Sequence, residues 1–148
     1  AETRKALKLA GRIVQAEAKK RCPKGPTKAQ AKGTGASYKT GKTVAAHTKA
    51  DGTEVASYKK GGPGGLERSI IVKQEGNYVD VGVMSGEALK YAEAMHDGEY
   101  NLGPGSEAKQ KGGETVGPKF IDRAYEENED KVNRVFSWGI SVAASRVA

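Results

Sequence analysis

Cysteine and aromatic residues are scarce in this sequence. Its one cysteine, Cys22, cannot form a disulfide within the chain, and a zinc site built from several cysteines is excluded. Aromatic residues make up 6% of the chain and glycine occurs 20 times, so we expect a modest core with long loops. We interpret Cys22 as a small buried residue near a helix end rather than as a nucleophile.

Long hydrophobic runs are missing as well. No apolar stretch approaches the ~20 residues that cross a bilayer, and no signal-peptide core stands near the N-terminus. We therefore expect a soluble protein that is made in the cytosol. The length of 148 residues predicts a single domain, residues 1–148.

Acidic residues are nearly missing between Lys19 and Lys60. Eleven lysines and arginines in this stretch stand against Asp51 and Glu54, which gives +9, although the whole chain carries +7. Such segregation of charge predicts contact with a polyanion or with an acidic protein surface. A solvated loop that lysines keep soluble is the alternative, and charge alone leaves both open.

The sequence also lacks a true phosphate-binding loop. Residues 35–43 (GASYKTGKT) approach the pattern G-x-x-x-x-G-K-[ST], but Ala36 stands where the first glycine is needed. The preceding residues 24–32 are polar, whereas such a loop follows a hydrophobic strand. We therefore do not predict nucleotide binding.

Hydrophobic periodicity predicts an amphipathic helix over residues 2–22, which Pro23 ends. Residues 24–65 show no helical period and form a basic, glycine-rich insertion. Within it, residues 42–49 and 53–59 flank Asp51-Gly52 and predict a β-hairpin, and residues 61–65 (GGPGG) form a hinge-like connection.

The following segment predicts a second hairpin and a short helix. Residues 66–74 and 78–84 are rich in β-branched side chains and flank a turn at residues 75–77. Alternation places three valines on the core face, namely Val79, Val81 and Val83. A helix over about residues 86–96 would add four side chains to the same core: Ala88, Leu89, Ala92 and Met95.

The last third of the chain predicts a loop over residues 99–117 and then one long helix to the C-terminus. Pro118 suits the first turn of this helix, and Phe120, Ile121 and Tyr125 would help to hold the fold. The acidic residues 126–130 form a solvated face or receive a basic patch of a neighbouring copy. The predicted fold class is α+β: a small antiparallel β-sheet packed against an N-terminal and a long C-terminal helix, with a basic β-hairpin insertion.

Groups that could share a catalytic site are not clustered in the sequence. His47 and His96 lie in different predicted elements, and neither an H-E-x-x-H motif nor a cysteine pair is present. Glu93, His96 and Asp97 allow a weak metal site, but a histidine that caps carbonyl groups at a helix end is the better explanation, because further ligands are lacking. We predict no enzymatic activity, no metal and no cofactor.

The basic insertion is the main candidate for an interface. Lysines contact phosphates without reading bases, and tyrosines stack on exposed bases, so loose and salt-sensitive DNA contact is one expectation. Docking on a neighbouring protein is the other. The candidate interface residues are Tyr38, Lys39, Lys42, Lys49, Tyr58, Lys59 and Lys60.

Four short motifs occur in an order that resembles the tail-completion or head–tail joining family of tailed bacteriophages. They are residues 18–23 (AKKRCP), 65–70 (GLERSI) before a valine strand, 91–98 (YAEAMHDG), and 117–124 (GPKFIDRA). The resemblance covers roughly residues 6–23 and 64–143, and the insertion departs from the usual pattern. The residues that carry it are Pro23, Leu66, Ser69, Ile70, Tyr91, Ala92, His96, Gly98, Pro118, Phe120, Ile121 and Ala124.

The resemblance implies a structural virion protein at the head–tail junction, assembled in the host cytoplasm. Members of this family form homo-oligomeric rings in the neck, between the head connector and the tail, and the genome passes through the ring. The implied partners are copies of the same chain, the adjacent head-connector proteins, the tail-tube or tail-terminator proteins, and genomic DNA in non-specific contact. A stand-alone DNA-binding module that uses the basic hairpin is the alternative function, and no membrane partner is expected.

Overall fold

A computed structural model describes residues 1–84, 86–113 and 115–147. The described residues form a mixed α and β fold with small antiparallel sheets, as the sequence predicts. The helices are α1 (Glu2–Arg21), α2 (Lys28–Ala31), α3 (Gly65–Ser69), α4 (Leu89–Asp97), α5 (Pro104–Lys111), α6 (Phe120–Glu126) and α7 (Glu129–Val147). The strands are β1 (Lys42–Val44), β2 (His47–Thr48), β3 (Glu54–Val55), β4 (Tyr58–Lys60), β5 (Ile70–Glu75) and β6 (Tyr78–Val83).

Helix α1 is the centre of the fold and packs against β5, β6, α6 and α7. Small residues allow this close packing. At Gly11 an added Cβ would lie 2.8 Å from a methyl group of Val72 and 2.9 Å from one of Val79, so the sheet rests directly on the helix backbone. Ala6 meets Gly139 of α7 in the same way. These contacts explain how α1, whose buried residues are mostly alanine and glycine, packs at the centre of the core.

The largest fully buried side chains of the core, among the described residues, are those of Phe120, Ile70 and Cys22. Cys22 is the residue after α1, which confirms its interpretation as a small buried residue at a helix end. Full burial of side chains such as Phe120 and Ile70 contributes roughly 1.5–3 kcal/mol each through the hydrophobic effect.

The second predicted hairpin forms, but it starts later than predicted. Strands β5 and β6 pair from Ile70↔Val83 to Glu75↔Tyr78, and the valines of β6 lie on the more covered face, as predicted. Residues 66–69 are helical and belong to α3, so their assignment to a strand was wrong. Leu66 and Ile70 are both buried at the spacing of one helical turn, and Ser69 Oγ donates to the Gly65 carbonyl (2.7 Å).

The predicted helix over residues 86–96 forms as α4, but it begins at Leu89 rather than at residue 86, and one side chain of its predicted buried face is exposed. Ala88 is buried and Ala92 and Met95 pack against the core, whereas Leu89 is 49% exposed. Positions 88, 92 and 95 share one helical face, and Leu89 lies about 100° away from it.

The predicted loop over residues 99–117 contains helix α5, which was missed. Gly103 and Pro104 mark its start, and its buried residues are small, Gly105 and Ser106, so no apolar period reveals it. Glu114 of this segment lies outside the described residues.

The predicted C-terminal helix is two helices, because the chain turns at Glu127-Asn128 between α6 and α7. Asn128 is buried, and its Nδ2 donates to the Ala124 carbonyl (3.0 Å). An asparagine side chain that competes for backbone groups in this way disfavours a continuous helix. The acidic residues 126, 127, 129 and 130 are exposed around the break, consistent with a solvated face.

Two further predictions at this end were wrong. Pro118 precedes the helix, because Lys119 adopts a left-handed conformation (φ 55°) and its N–H donates to the His96 carbonyl (2.6 Å). Tyr125 is 44% exposed, so of the proposed aromatic supports Phe120 alone is fully buried within the described residues.

None of the helices in the described ranges combines the length and apolar character that crossing a bilayer requires.

Candidate functional site

The predicted basic hairpin forms as two short antiparallel ladders. Strand β1 pairs with β4, and β2 pairs with β3. The chain reverses in a turn in which Gly52 N–H donates to the Lys49 carbonyl (3.0 Å), with Gly52 at φ 83°. Residues 24–65 also contain one turn of helix, α2, which sequence reasoning missed; a capping box between Thr27 and Gln30 starts it.

The strand register places like charges opposite each other. Lys42 pairs with Lys60 and Val44 with Tyr58, so the two pairs lie side by side on one face of the hairpin. Like charges directly opposite in a ladder destabilise it. Among the described residues, no carboxylate lies within 4 Å of either lysine.

The base of the hairpin is held by backbone contacts rather than by a core. A Cβ added to Gly41 would lie 2.9 Å from the carbonyl oxygen of Gly61, so the backbones of Gly41 and Gly61 are in direct contact. Gly62 also needs φ 70°, which favours glycine. Arg68 of α3 donates to the carbonyls of Pro63 (2.9 Å) and Gly61 (2.5 Å) and ties this base to the domain.

Helix α5 clamps the other end of the insertion. Ser106 Oγ accepts from the Lys24 N–H (2.9 Å) and donates to the Lys24 carbonyl (3.2 Å). Lys109 Nζ donates to the carbonyls of Lys19 and Cys22 (2.8 Å for the second) and pairs with Glu67 (3.0 Å). A lysine in this place satisfies carbonyls left free at the C-terminus of α1.

Between these supports lies a groove of about 810 Å³, which we call the basic groove. Its walls come from residues 23–26, the hairpin base at 58–64, helix α3, residues 86–88 with Tyr91 and Met95 of α4, and residues 100–103 with Ser106. Its charged lining consists of Lys24, Lys39, Lys59, Lys60 and Arg68, with Glu87 as the acidic residue in the lining, and its aromatic lining consists of Tyr58, Tyr91 and Tyr100.

The electrostatics of the basic groove favour an anionic ligand. Arg68 is engaged with carbonyl groups, whereas the four lysines have no carboxylate within 4 Å among the described residues. Burial raises the pKa of Tyr91, and it raises the pKa of Tyr100 to about 12. Tyr91 and Tyr100 therefore stay neutral and add no negative charge near neutral pH.

The predicted interface residues are only partly brought together. Lys39, Tyr58, Lys59 and Lys60 line the basic groove, whereas Lys42 shares the hairpin face of Lys60. Lys49 lies at the distant turn, and Tyr38 is exposed outside the lining. Sequence reasoning missed the contributions of Lys24, Arg68 and Tyr100, because these residues are far apart along the chain and only folding unites them.

The residues that carry the family resemblance converge elsewhere. Leu66, Ile70, Phe120 and Ala124 are members of one buried cluster, against which Ala92 and Ile121 pack. Pro23 is also buried, and it follows Cys22, a member of the cluster, in the sequence. Gly98 ends α4, and Tyr91 lines the groove with 43% of its surface exposed. Most of these residues thus support the fold rather than a surface.

The alternative metal site would lie at the end of α4. His96 Nδ1 lies 3.0 Å from Asp97 Oδ1, and its ring packs edge-on against Phe120 with centroids 5.0 Å apart. Lys119 hydrogen-bonds to Asp97 and thereby lowers the pKa of that carboxyl group. The ring meets a carboxylate rather than the carbonyls that a capping role requires, so the capping explanation was wrong. In the described ranges, no three potential ligands of metal-binding type come together.

Cys22 is unsuited to nucleophilic chemistry. Burial raises the pKa of its thiol to about 12, so the thiolate is essentially absent at neutral pH.

Comparison with known proteins adds no relative: no protein-family model, no curated protein and no solved structure matches this chain.

Proposed function

We propose that the protein is a structural component of the neck of a tailed bacteriophage. Copies of the chain form a ring that joins the head connector to the tail, and the genome passes through this ring. Apart from the family resemblance, the observation that carries the proposal is a pair of large apolar side chains left uncovered on the C-terminal helix α7, Trp138 and Ile140.

Helix α7 has one packed face, with exposed apolar side chains on both of its flanks. The packed face lies against α1 and includes Val132 and Gly139, which are buried. Trp138 (51%) and Ile140 (62%) are exposed on opposite flanks of this face, and Val147 (89%) lies two turns further along on the flank of Ile140. An exposed tryptophan is a frequent anchor of protein–protein contacts, where this residue is enriched.

Serine and alanine accompany these apolar side chains. Ser137, Ser141 and Ala144 lie on the exposed side of the same helix. Small residues allow a second helix to approach closely, so α7 suits packing against an element of another copy. A contact of one surface with a different surface of the next copy closes into a ring when the rotation allows it.

The convergence of the motif residues also supports the proposal. Residues from four separated stretches of the sequence meet in or around one core, which is the behaviour of motifs that define a fold. The insertion stays outside this core and is free to contact a neighbouring subunit or an adjacent ring.

The test uses Trp138, the one tryptophan of the chain, as a reporter. We expect the purified protein to form a discrete oligomer by light scattering, with a blue shift of tryptophan emission as its concentration rises. Ile140→Glu should prevent the oligomer, because a charge cannot be buried unpaired in the contact. Leu9→Glu on α1, where the leucine is 45% exposed, is the matched control and should assemble normally.

A wild-type chain that stays monomeric at the highest attainable concentration, with unshifted emission, contradicts the proposal. Deletion of residues 37–60 then addresses the insertion: if rings and head–tail joining persist without it, the insertion has a task other than assembly.

A further inference from the structure

No acidic side chain of the described residues neutralises the lysines of the basic groove. Lys24 and Lys39 come from the chain before the hairpin and Lys59 and Lys60 from its last strand, β4. All four line the groove, and no carboxylate of the described residues pairs with them. Concentrating cations in one concavity costs electrostatic energy in the free protein, because their mutual repulsion is strongest where they converge. An external anion removes this cost.

We propose that the basic groove is a binding site for single-stranded nucleic acid, without sequence preference. The lysine ammonium groups contact the phosphates, and Tyr58 and Tyr91 offer their rings to the bases. The inference does not rest on the neck assignment, since it follows from the groove alone.

The tyrosines distinguish nucleic acid from a simple anion. Tyr58 is 46% exposed and Tyr91 43% exposed, and both line the same groove as the lysines. Grooves that combine a cationic track with exposed aromatic rings are typical of single-strand binding, because every base has a face that can stack. An acidic peptide would use the lysines but would leave both rings without a partner.

The shape of the groove favours one strand over a duplex. A volume of about 810 Å³ is within the range of small-ligand pockets, so it admits a few nucleotides. In a duplex the bases are stacked on one another and are closed to the tyrosine rings. A duplex would therefore reach only the lysines at the rim and on the hairpin face, such as Lys42.

The supporting contacts make the site rigid before binding. Arg68 holds one wall through the carbonyls of Pro63 and Gly61, and Ser106 holds the opposite wall through the backbone of Lys24. A preorganised groove spends less binding energy on ordering its own chain.

The experiment measures the anisotropy of fluorescent oligothymidylate of about 12 nucleotides, a length within the usual range of single-strand sites. A mixed-sequence strand, its duplex and a labelled polyglutamate peptide serve as the other arms. We expect similar affinity for both single strands, at least tenfold weaker binding of the duplex, and weaker binding still of the peptide. Raising salt from about 50 to about 200 mM should weaken single-strand binding steeply.

Two pairs of variants assign the binding to the groove. Lys59→Gln with Lys60→Gln should weaken binding roughly tenfold or more and lower the salt slope by about 0.7 for each lost phosphate contact. Lys8→Gln with Lys131→Gln makes the same charge change on exposed lysines of α1 and α7 and should leave the slope unchanged.

The second pair is Tyr91→Ala and Tyr91→Phe. Loss of the ring should weaken single-strand binding roughly tenfold, and phenylalanine should restore it, because stacking needs the ring and not the hydroxyl. Circular dichroism of each variant checks that the fold is kept.

Three results overturn the proposal: no binding of either single strand at low salt, equal or tighter binding of the duplex or the peptide, or equal losses in the groove and control lysine variants. Because these measurements do not depend on ring formation, failure here leaves the neck proposal standing, and a monomeric chain leaves this one standing.

Discussion

The domain and its insertion are stabilised by different means. In the domain, Phe120, Ile70 and Cys22 are fully buried around α1, and side chains from distant segments share one cluster. The structure describes residues 24–63 throughout. The one buried hydrophobic residue in this range is the small Ala31. Short ladders, glycine contacts and a few polar ties hold that segment instead.

The difference indicates which region of the chain tolerates substitution. Burial makes each core residue dependent on its neighbours, so substitutions there cost stability. The insertion carries eight lysines, none with a carboxylate within 4 Å among the described residues, and it contributes little to the core, so its residues can be selected for binding. Three substitutions or deletions should separate the two regions, in decreasing order of effect.

The largest effect is expected at the core. Phe120→Ala should lower the free energy of unfolding by about 3–5 kcal/mol, because it removes a large, fully buried ring and leaves a cavity. Tyr125→Ala, on the same helix but exposed, should cost about 1 kcal/mol or less. Urea unfolding followed by circular dichroism measures both; equal losses would mean that α6 does not present its faces as described.

An intermediate effect is expected where α5 joins the domain to the insertion. Lys109→Met keeps the aliphatic stem but leaves the carbonyls of Lys19 and Cys22 and the carboxylate of Glu67 without this donor. The expected loss is about 1–3 kcal/mol, the usual cost of unsatisfied buried groups. Lys111→Met, exposed on the same helix, is the control and should be nearly neutral in thermal unfolding.

The smallest effect is expected from removal of the hairpin itself. Gly41 and Gly61 touch at its base, so residues 42–60 can be excised and the two glycines joined. Unfolding free energy should change by about 1 kcal/mol or less, because no large buried side chain is lost. A cooperative loss of several kcal/mol in the same urea experiment would show that the hairpin belongs to the core after all.

The sequence predicted the elements that have a clear local signal. The alternation of Val79, Val81 and Val83 marks a half-covered strand, and Asp51-Gly52 marks a turn, so both hairpins were found. The apolar stripe of α1 and the stop at Pro23 defined that helix. These signals depend on residues close together in the chain and survive in any tertiary context.

The missed features share a different cause. Helix α5 buries Gly105 and Ser106 against residues 24 and 25. Because this packing partner is distant in the sequence, no local pattern predicts the helix. The break at Asn128 depends on a side chain that turns back to Ala124. The local sequence assigns Leu66 to a strand, and only its burial together with Ile70, four residues later, shows that it belongs to a helical turn.

By itself, the sequence determined the fold class, the segregation of positive charge in one insertion and the lack of a second cysteine. Composition and periodicity are properties of the chain, and folding cannot alter them. Only the tertiary structure decided which lysines act together, because Lys24, Lys39, Lys59 and Lys60 share a groove while Lys49 lies at the far turn. Electrostatic attraction depends on distance in space, and the fold alone sets that distance.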